Sequence, residues 1–314
     1  MSAARSRAPA PPPPDLPVDR RRIERVCARL RAEPGVDLAP LRWSIGPAPV
    51  GEGWDNVLWP VGTLEGRPLV LRAARRASAR PLLQRELAVL RHLRHAGPSL
   101  PMRIPTPLAA GEDAVLMPWY EGITAADADT PRRRGTAQDL ALMLAAVHSL
   151  PAPPIAPNPV RGVPLRTRAE AFAADLDRAM LPAPSAQRAR ERWDAGLAAE
   201  WTGPALLLHG DPHPGNVVLP EPADGGPAVL IDWGDTTRGD PASDLGALLL
   251  HAPEPGTLRT YRAAATWSGI GDDATWDALV ARAGAWGARM ALALVTAYPR
   301  AHGLGRAGHR LLGT

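Results

Sequence analysis

From about residue 40 the apolar and polar positions follow a strand-like texture. Leu41–Ile45, Asn56–Val61 and Pro68–Ala73 are short β-prone runs, separated by GPAPVGEG and by a Glu65-Gly66-Arg67 turn. The period then lengthens: Leu83, Leu87 and Leu90 recur at i, i+4 and i+7, which predicts an amphipathic helix over about 78–95. Two further apolar runs follow, Thr106–Ala110 and Ala114–Met117, the second ended by Pro118. Beyond Pro118 the pattern is mostly helical. Leu140, Leu144 and Val147 share one face of a helix over 134–150, and helical patterns recur near 166–180 and 185–200. Ala205–Leu208 reads as a buried strand entering a loop rich in Gly, Pro and Asp. Val217–Leu219 and Ala228–Ile231 read as a hairpin pair, and helices dominate from Pro241 to about Tyr298. The coarse architecture is a small strand-rich lobe, one crossing segment and a larger helical lobe, with no internal repeat. No apolar run is read as a membrane span, so no membrane partner is expected.

Composition narrows the chemistry. The chain has 314 residues, and all 36 of its Lys+Arg positions are arginine. Any reaction that depends on a lysine must use Arg or be absent, which excludes Schiff-base and lysine general-base enzymes. The formal charge of +4 arises in residues 1–35, which hold eight Arg and four acids, while the remainder balances at 28 against 28. The basic character is thus that of a Pro-rich N-terminal extension and not of a nucleic-acid-binding surface, so no nucleic-acid partner is expected. Residues 1–17 are low-complexity and expected to be disordered, and residues 19–33 are a candidate Arg-rich helix. The single cysteine, Cys27, can form neither an internal disulfide nor a metal cluster. The N-terminus lacks the apolar segment of a secretory signal, so a cytoplasmic location is expected.

The chemistry concentrates in residues 209–244, HGDPHPGNVVLPEPADGGPAVLIDWGDTTRGDPASD. Seven acids (Asp211, Glu221, Asp224, Asp232, Asp235, Asp240, Asp244) stand there against one cation, Arg238. That density implies a divalent metal or a cationic ligand among them. Asp211 and Asp232 each follow an apolar strand, where a side chain enters a cleft. Phosphoryl transfer fits: it needs a carboxylate beside the attacking hydroxyl, and an amide oxygen and a second carboxylate for Mg²⁺. Asp211 and Asn216 lie five residues apart on one tight loop, and Asp232 lies sixteen residues beyond Asn216.

HGDxHxxN followed by IDW and GDPxxDL resembles the aminoglycoside phosphotransferase family, small-molecule kinases with the protein-kinase fold; the resemblance spans about residues 46–251. It implies an α+β, bilobal kinase-like fold: an extension over 1–35, a nucleotide-binding N-lobe over 36–118 and a catalytic, substrate-binding C-lobe over 119–314. It implies Asp211 as catalytic base, Asn216 and Asp232 as Mg²⁺ ligands, and His209 and Gly210 as residues shaping the loop. Asp244 would anchor the loop's backbone. Asp240 with Pro241 also suffices as a plain helix start. His213 has a counterpart in the family but no role derivable from sequence, and His148 in LAAVHSL reads as a satisfied core histidine. In the small lobe GEGWDNVLWPVG resembles the family's phosphate loop, with Gly51 and Gly53 letting backbone approach the nucleotide. Arg72 in PLVLRAA stands where kinases carry the phosphate-binding Lys, and Glu86, on the apolar face of its helix, needs a partner that Arg72 can supply. Met117–Gly122 would be the hinge.

The implied cofactors are ATP, or another nucleoside triphosphate, and Mg²⁺; the implied partner is a small molecule bearing a hydroxyl. An antibiotic such as an aminoglycoside is the leading acceptor, since residues after 119 carry 21 acids against 18 Arg. Alternatives stay open: a catalytically inert nucleotide-binding module of the same fold, a kinase for a non-antibiotic metabolite, and a metal-dependent hydrolase using His209, Asp211 and His213. Fold and motif name neither the substrate nor the oligomeric state.

Overall fold

The computed structural model describes residues 12–33, 38–95, 100–221 and 226–314. Asp224 and residues 1–11 of the extension lie outside the described residues. The chain divides into two compact units, one within Ala10–His95 and Ile104–Glu121, the other within Ala96–Arg103 and Gly122–Thr314.

The first unit holds α1 (Arg20–Arg31), β1 (Leu41–Trp43), β2 (Gly51–Glu52), β3 (Asn56–Leu64), β4 (Arg67–Ala74), α2 (Arg80–His95), β5 (Ala109–Ala110) and β6 (Ala114–Pro118). Its strands form one antiparallel sheet in the order β1-β3-β4-β6-β5, with β2 also on β3. Strand side chains alternate between faces, and the two faces have different covers. Val57, Trp59, Val61, Leu71, Ala73 and Leu116 pack with Ile23, Val26, Cys27 and Leu30 of α1. Ala74 and Val115 pack with Leu83 and Leu87 of α2. Gly62 marks a bulge opposite β4 and has φ +140°, where a Cβ would lie 2.1 Å from the Arg42 carbonyl oxygen.

Residues 12–33 of the extension are more ordered than their composition suggests. Asp19 caps α1 by accepting the Arg22 N–H at 2.8 Å, and Arg22 donates to Asp113 at 2.8 Å in a nearly buried pair. Upstream, the backbone N–H groups of Asp15 and Leu16 reach the Arg75 carbonyl, and Asp15 accepts from Ala77 N at 2.7 Å. The expectation of disorder for residues 12–17 is thus corrected. Proline density hides the apolar Leu16 and Val18, which pack on the sheet's two covers. Burial pushes the Cys27 thiol up to about 11, so it is an inert core residue.

The second unit holds β7 (Ile123–Thr124), α3 (Thr130–His148), α4 (Ala169–Arg178), α5 (Ala183–Ala198), β8 (Leu206–Leu208), β9 (Val217–Leu219), β10 (Val229–Leu230), β11 (Thr237–Gly239), α6 (Ala242–His251), α7 (Pro255–Ala264), α8 (Asp273–Ala297) and α9 (Gly303–Leu312). Two small antiparallel ladders, β10-β9-β7 and β8-β11, sit among the helices. Every residue of α6 is buried, and its Gly246 permits close approach to α8, where a Cβ would meet Gly287 N at 2.7 Å. The 25-residue α8 is long and apolar enough to cross a membrane by length and composition, which the short apolar runs did not suggest. Most of it is buried against its own unit, the state of a core helix.

One element was invisible in the hydrophobic period. Helix α9 carries Gly303, Gly305 and Gly308, residues that weaken a helix by about 1 kcal/mol each relative to Ala. They are there for packing: a Cβ would lie 2.2 Å from the Pro299 carbonyl at Gly305 and 2.8 Å from the Ala291 carbonyl at Gly308.

Candidate active site

Strand β8 delivers the chain to His209, and the next eight residues form a loop wound on its own backbone. His209 is fully buried. Its Nε2 faces the Ile231 carbonyl at 3.1 Å and its Nδ1 accepts the Asp211 N–H at 3.2 Å, which requires the neutral tautomer protonated at Nε2. Burial lowers its pKa, against the opposing pull of Asp244, Asp211 and Asp232. Gly210 has φ +95°, and a Cβ there would sit 2.2 Å from the Asp235 carbonyl oxygen, so only glycine fits. The Asp211 carbonyl accepts from His213 N at 2.9 Å and from Asn216 Nδ2 at 2.9 Å. His213 caps the turn Pro214–Asn216: its Nδ1 accepts Gly215 N–H and its carbonyl accepts Asn216 N–H. A role that sequence could not supply for His213 is thereby structural.

Asp244, on the first turn of α6, is fully buried and anchors the loop. Its Oδ2 accepts His209 N–H at 2.8 Å and its Oδ1 accepts Gly210 N–H at 2.9 Å. His148 Nε2 faces the same Oδ2 at 3.2 Å, His148 Nδ1 accepts from Tyr261 OH at 2.8 Å, and Tyr261 OH accepts from Trp267 Nε1 at 2.9 Å. Every polar atom in that chain is satisfied, so His148 belongs to the core that supports the loop. Asp240 accepts Ala242 N–H at 3.0 Å, the helix-start role read from sequence, and also pairs with Arg282 of α8 at 2.7 Å. Arg282 further donates to the Ala199 and Glu200 carbonyls, tying α6, α8 and the end of α5 together.

Asn216 and Asp232 are brought together by the β9–β10 ladder. Val217 pairs with Leu230, and Ile231 N–H donates to the Asn216 carbonyl at 2.9 Å. The Asn216 Nδ2 is held by the Asp211 carbonyl, which leaves the amide Oδ1 as the atom that could ligate a cation. Asp232 adopts φ 65°, ψ 65°, a left-handed conformation that costs a non-glycine residue about 1–2 kcal/mol and clusters at functional sites. One amide oxygen and one carboxylate suit a hard cation that keeps phosphate and water oxygens as its other ligands. Among the described residues no group of three His, Cys, Asp or Glu can hold a metal. With both nitrogens of His209 engaged, the hydrolase alternative has lost its ligand set.

Two residues at the site carry no sequence signal. Arg161 Nη2 lies 2.9 Å from Asp211 Oδ2, and its Nε lies 3.9 Å from Asp235 Oδ2. His213 Nε2 is 3.8 Å from the same Asp211 oxygen. Asn158 builds the turn that presents Arg161: its Oδ1 accepts the N–H groups of Val160 and Arg161, and its Nδ2 donates to Asp235 Oδ1 at 2.9 Å. Burial raises the Asp235 pKa, opposed by Arg161 and Asn158.

In the other unit Arg72 Nη1 contacts both oxygens of Glu86, at 2.9 and 2.7 Å, and Glu86 is buried. The Asn56 amide oxygen, oriented to satisfy its neighbours, accepts from Arg72 Nε at 3.2 Å and Nη2 at 3.0 Å. An exposed strand arginine is therefore not what stands at this position. Gly53 N–H donates to the Asn56 carbonyl at 2.9 Å. A Cβ at Gly51 or Gly53 would meet only ordinary contacts, so local packing does not demand either glycine.

The family model described as the phosphotransferase enzyme family matches residues 47–289, more than three-quarters of the chain. The chain belongs to the phosphotransferase enzyme family. It is an O-phosphotransferase acting on a hydroxyl of a small molecule. Among solved structures it is similar to a type I macrolide 2′-phosphotransferase, at 22% identity over 94% of this chain and 99% of that one, with a TM-score of 0.56. It is similar to APH(2″)-IIIa in complex with GDP and kanamycin, at 17% identity over 93% and 97%, with a TM-score of 0.59. A macrolide 2′-phosphotransferase from Brachybacterium faecium aligns at 21% identity over 92% and 97%, with a TM-score of 0.51. These likenesses establish the kinase-like α+β fold. No curated protein sequence matches the chain. Helix α1 precedes the residues that the family model matches.

Proposed function

We propose that the protein transfers the γ-phosphoryl group of ATP to a hydroxyl of a polyhydroxylated small molecule, with Asp211 as base and Mg²⁺ held by Asn216 and Asp232. The observation that carries this reading is the loop itself. Its backbone is fixed by Asp244, His209 and Asn216, while Asp211 Oδ1 takes no bond from a described residue. That oxygen accepts the proton of the acceptor hydroxyl as its oxygen attacks the γ-phosphorus. The bond to the β,γ-bridging oxygen breaks, ADP leaves, and Asp211 returns the proton to solvent. Bound Mg²⁺ would neutralise phosphate charge. Arg72, braced by Glu86 and Asn56, is the phosphate-binding cation, and Gly51 and Gly53 admit the phosphates to the backbone.

Relatives bear the names of macrolide phosphotransferases, and one is a complex with GDP and kanamycin. An antibiotic acceptor with a role in resistance is part of the proposal on that support; a cytoplasmic location is proposed from the sequence alone. The test is ATP consumption over a panel of hydroxyl-bearing antibiotics and metabolites. Acceptor-dependent turnover is expected. Silence across the panel from protein that binds Mg-ATP would favour the inert nucleotide-binding alternative.

A further inference from the structure

The loop between β2 and β3 is held by a second arginine besides Arg72. Arg75 directly follows β4 and is buried. Its backbone N–H donates to the Asp55 carbonyl at 2.9 Å, and its Nη1 donates to the Gly53 carbonyl at 3.0 Å. Two carbonyls of the loop therefore end on one residue. In a planar peptide the carbonyl and the following N–H point opposite ways, so fixing the Gly53 carbonyl turns the Trp54 N–H away from Arg75. That N–H donates to no described residue, and Trp54 is 51% exposed. Crowding does not set this shape: a Cβ at Gly53 would meet only the Asn56 carbonyl oxygen, at 3.7 Å. Hydrogen bonds set it.

Arg75 is fastened in turn by the segment leading into α1. The Asp15 and Leu16 N–H groups both reach the Arg75 carbonyl at 3.1 Å, and Asp15 Oδ1 accepts the Ala77 N–H at 2.7 Å. Leu16 packs on the cluster of Ala74, Ala79, Leu83, Leu87 and Val115. Arg22 of α1 holds the segment's end, donating from Nη1 to the Pro17 carbonyl at 2.9 Å and from Nη2 to Asp113 at 2.8 Å. The Asp113 carbonyl accepts the Ala74 N–H at 2.8 Å, so the residue before Arg75 is tied to the same group. Covering the sheet requires only the apolar face of α1. The bonds to Arg75 and Ala77 go beyond that, and residues 15–22 lie outside the family match, which starts at residue 47.

We propose that Arg75 is a positioning residue for the nucleotide phosphates, and that residues 15–22 support ATP binding by fixing the phosphate loop through it. This rests on the phosphotransferase reading and gives the N-terminal segment a share in ATP affinity.

The test compares Mg-ATP with adenosine, each titrated into the full chain by calorimetry. Adenosine lacks phosphates, so a defect confined to the loop weakens Mg-ATP alone. Arg75→Met keeps most of the apolar stem and loses the donor; it should raise the Mg-ATP Kd about tenfold, because a charge-assisted hydrogen bond to the loop is lost. Arg75→Lys should retain more of the affinity. A paired variant, Asp15→Ala with Leu16→Pro, removes the acceptor for Ala77 and one donor to Arg75. It changes only one exposed and one half-buried residue, so it keeps its fold even where Arg75→Met does not. Its Mg-ATP Kd should rise about threefold. Adenosine affinity should be unchanged in all three. An unchanged Mg-ATP Kd in the paired variant, or in folded Arg75→Met protein, would overturn the proposal. So would equal weakening of Mg-ATP and adenosine, the mark of general loosening. Failure of the parent to bind Mg-ATP would instead sink the kinase reading, which keeps the two results distinct.

Discussion

Two arginine–aspartate pairs in the C-terminal unit look alike in sequence and differ in what surrounds them. Arg282 and Asp240 are 4% and 7% exposed, and the pair is completed by Ala242 N–H and by the Ala199 and Glu200 carbonyls. Arg161 and Asp211 are 22% and 18% exposed, Arg161 has an unpartnered Nε, and Asp211 keeps one oxygen without a bond from a described residue. The first pair is saturated and joins helices. The second is unsaturated and includes the proposed catalytic base. Completeness of hydrogen bonding separates a structural ion pair from a reactive one, because a buried group left unsatisfied persists only where something else compensates it.

The largest effect should come from breaking the saturated pair. Arg282→Ala leaves the Asp240 carboxylate buried and should cost about 3–5 kcal/mol of stability, read by urea unfolding. Arg161→Gln, by contrast, should cost no more than about 1 kcal/mol, since the pair is partly exposed; equal losses in the two variants would erase the distinction. Next, Arg72→Ala should lower kcat/KM for ATP by about 10–100-fold, with both terms changed, because a braced, charge-assisted contact to phosphate is lost. An unchanged kcat/KM would remove Arg72 from the nucleotide site.

The pH dependence of stability gives an independent readout. His209 and His251 are buried and neutral, with His251 lowered to about 3 by burial. Their folded pKa values lie below the unfolded value near 6.5, so the unfolded chain binds more protons. Their contribution is therefore present above pH 6.5 and is lost as pH falls. The slope should be at most about 1.4 kcal/mol per pH unit for each histidine. Urea unfolding at pH 7 and pH 5 measures this, and a flat profile would contradict the neutral assignments.

Much of the site was legible because its chemistry is local. Asp211 and Asn216 share one loop, Asp232 ends the neighbouring strand, and Asp244 opens the next helix, so a contiguous stretch shows the constellation. The Arg72–Glu86 pairing followed from the helical period that buried Glu86. Arg161 and Asn158 were illegible for the opposite reason: they sit fifty or more residues before Asp211 in a proline-rich segment, and only the fold of β8 against β11 brings them to it. Helix α9 was hidden by glycines whose purpose is tight packing. The order of residues 12–17 was masked by prolines flanking Leu16 and Val18.

The central claim is that Asp211 is the base of a phosphoryl transfer. The direct measurement is single-turnover transfer from Mg-ATP to an acceptor found in the panel, by Asp211→Asn protein whose Mg-ATP affinity is measured in parallel. A loss of about 10²–10⁴-fold in rate, with Mg-ATP affinity within a few-fold of the parent, is the predicted result. Transfer at the parent's rate would contradict it.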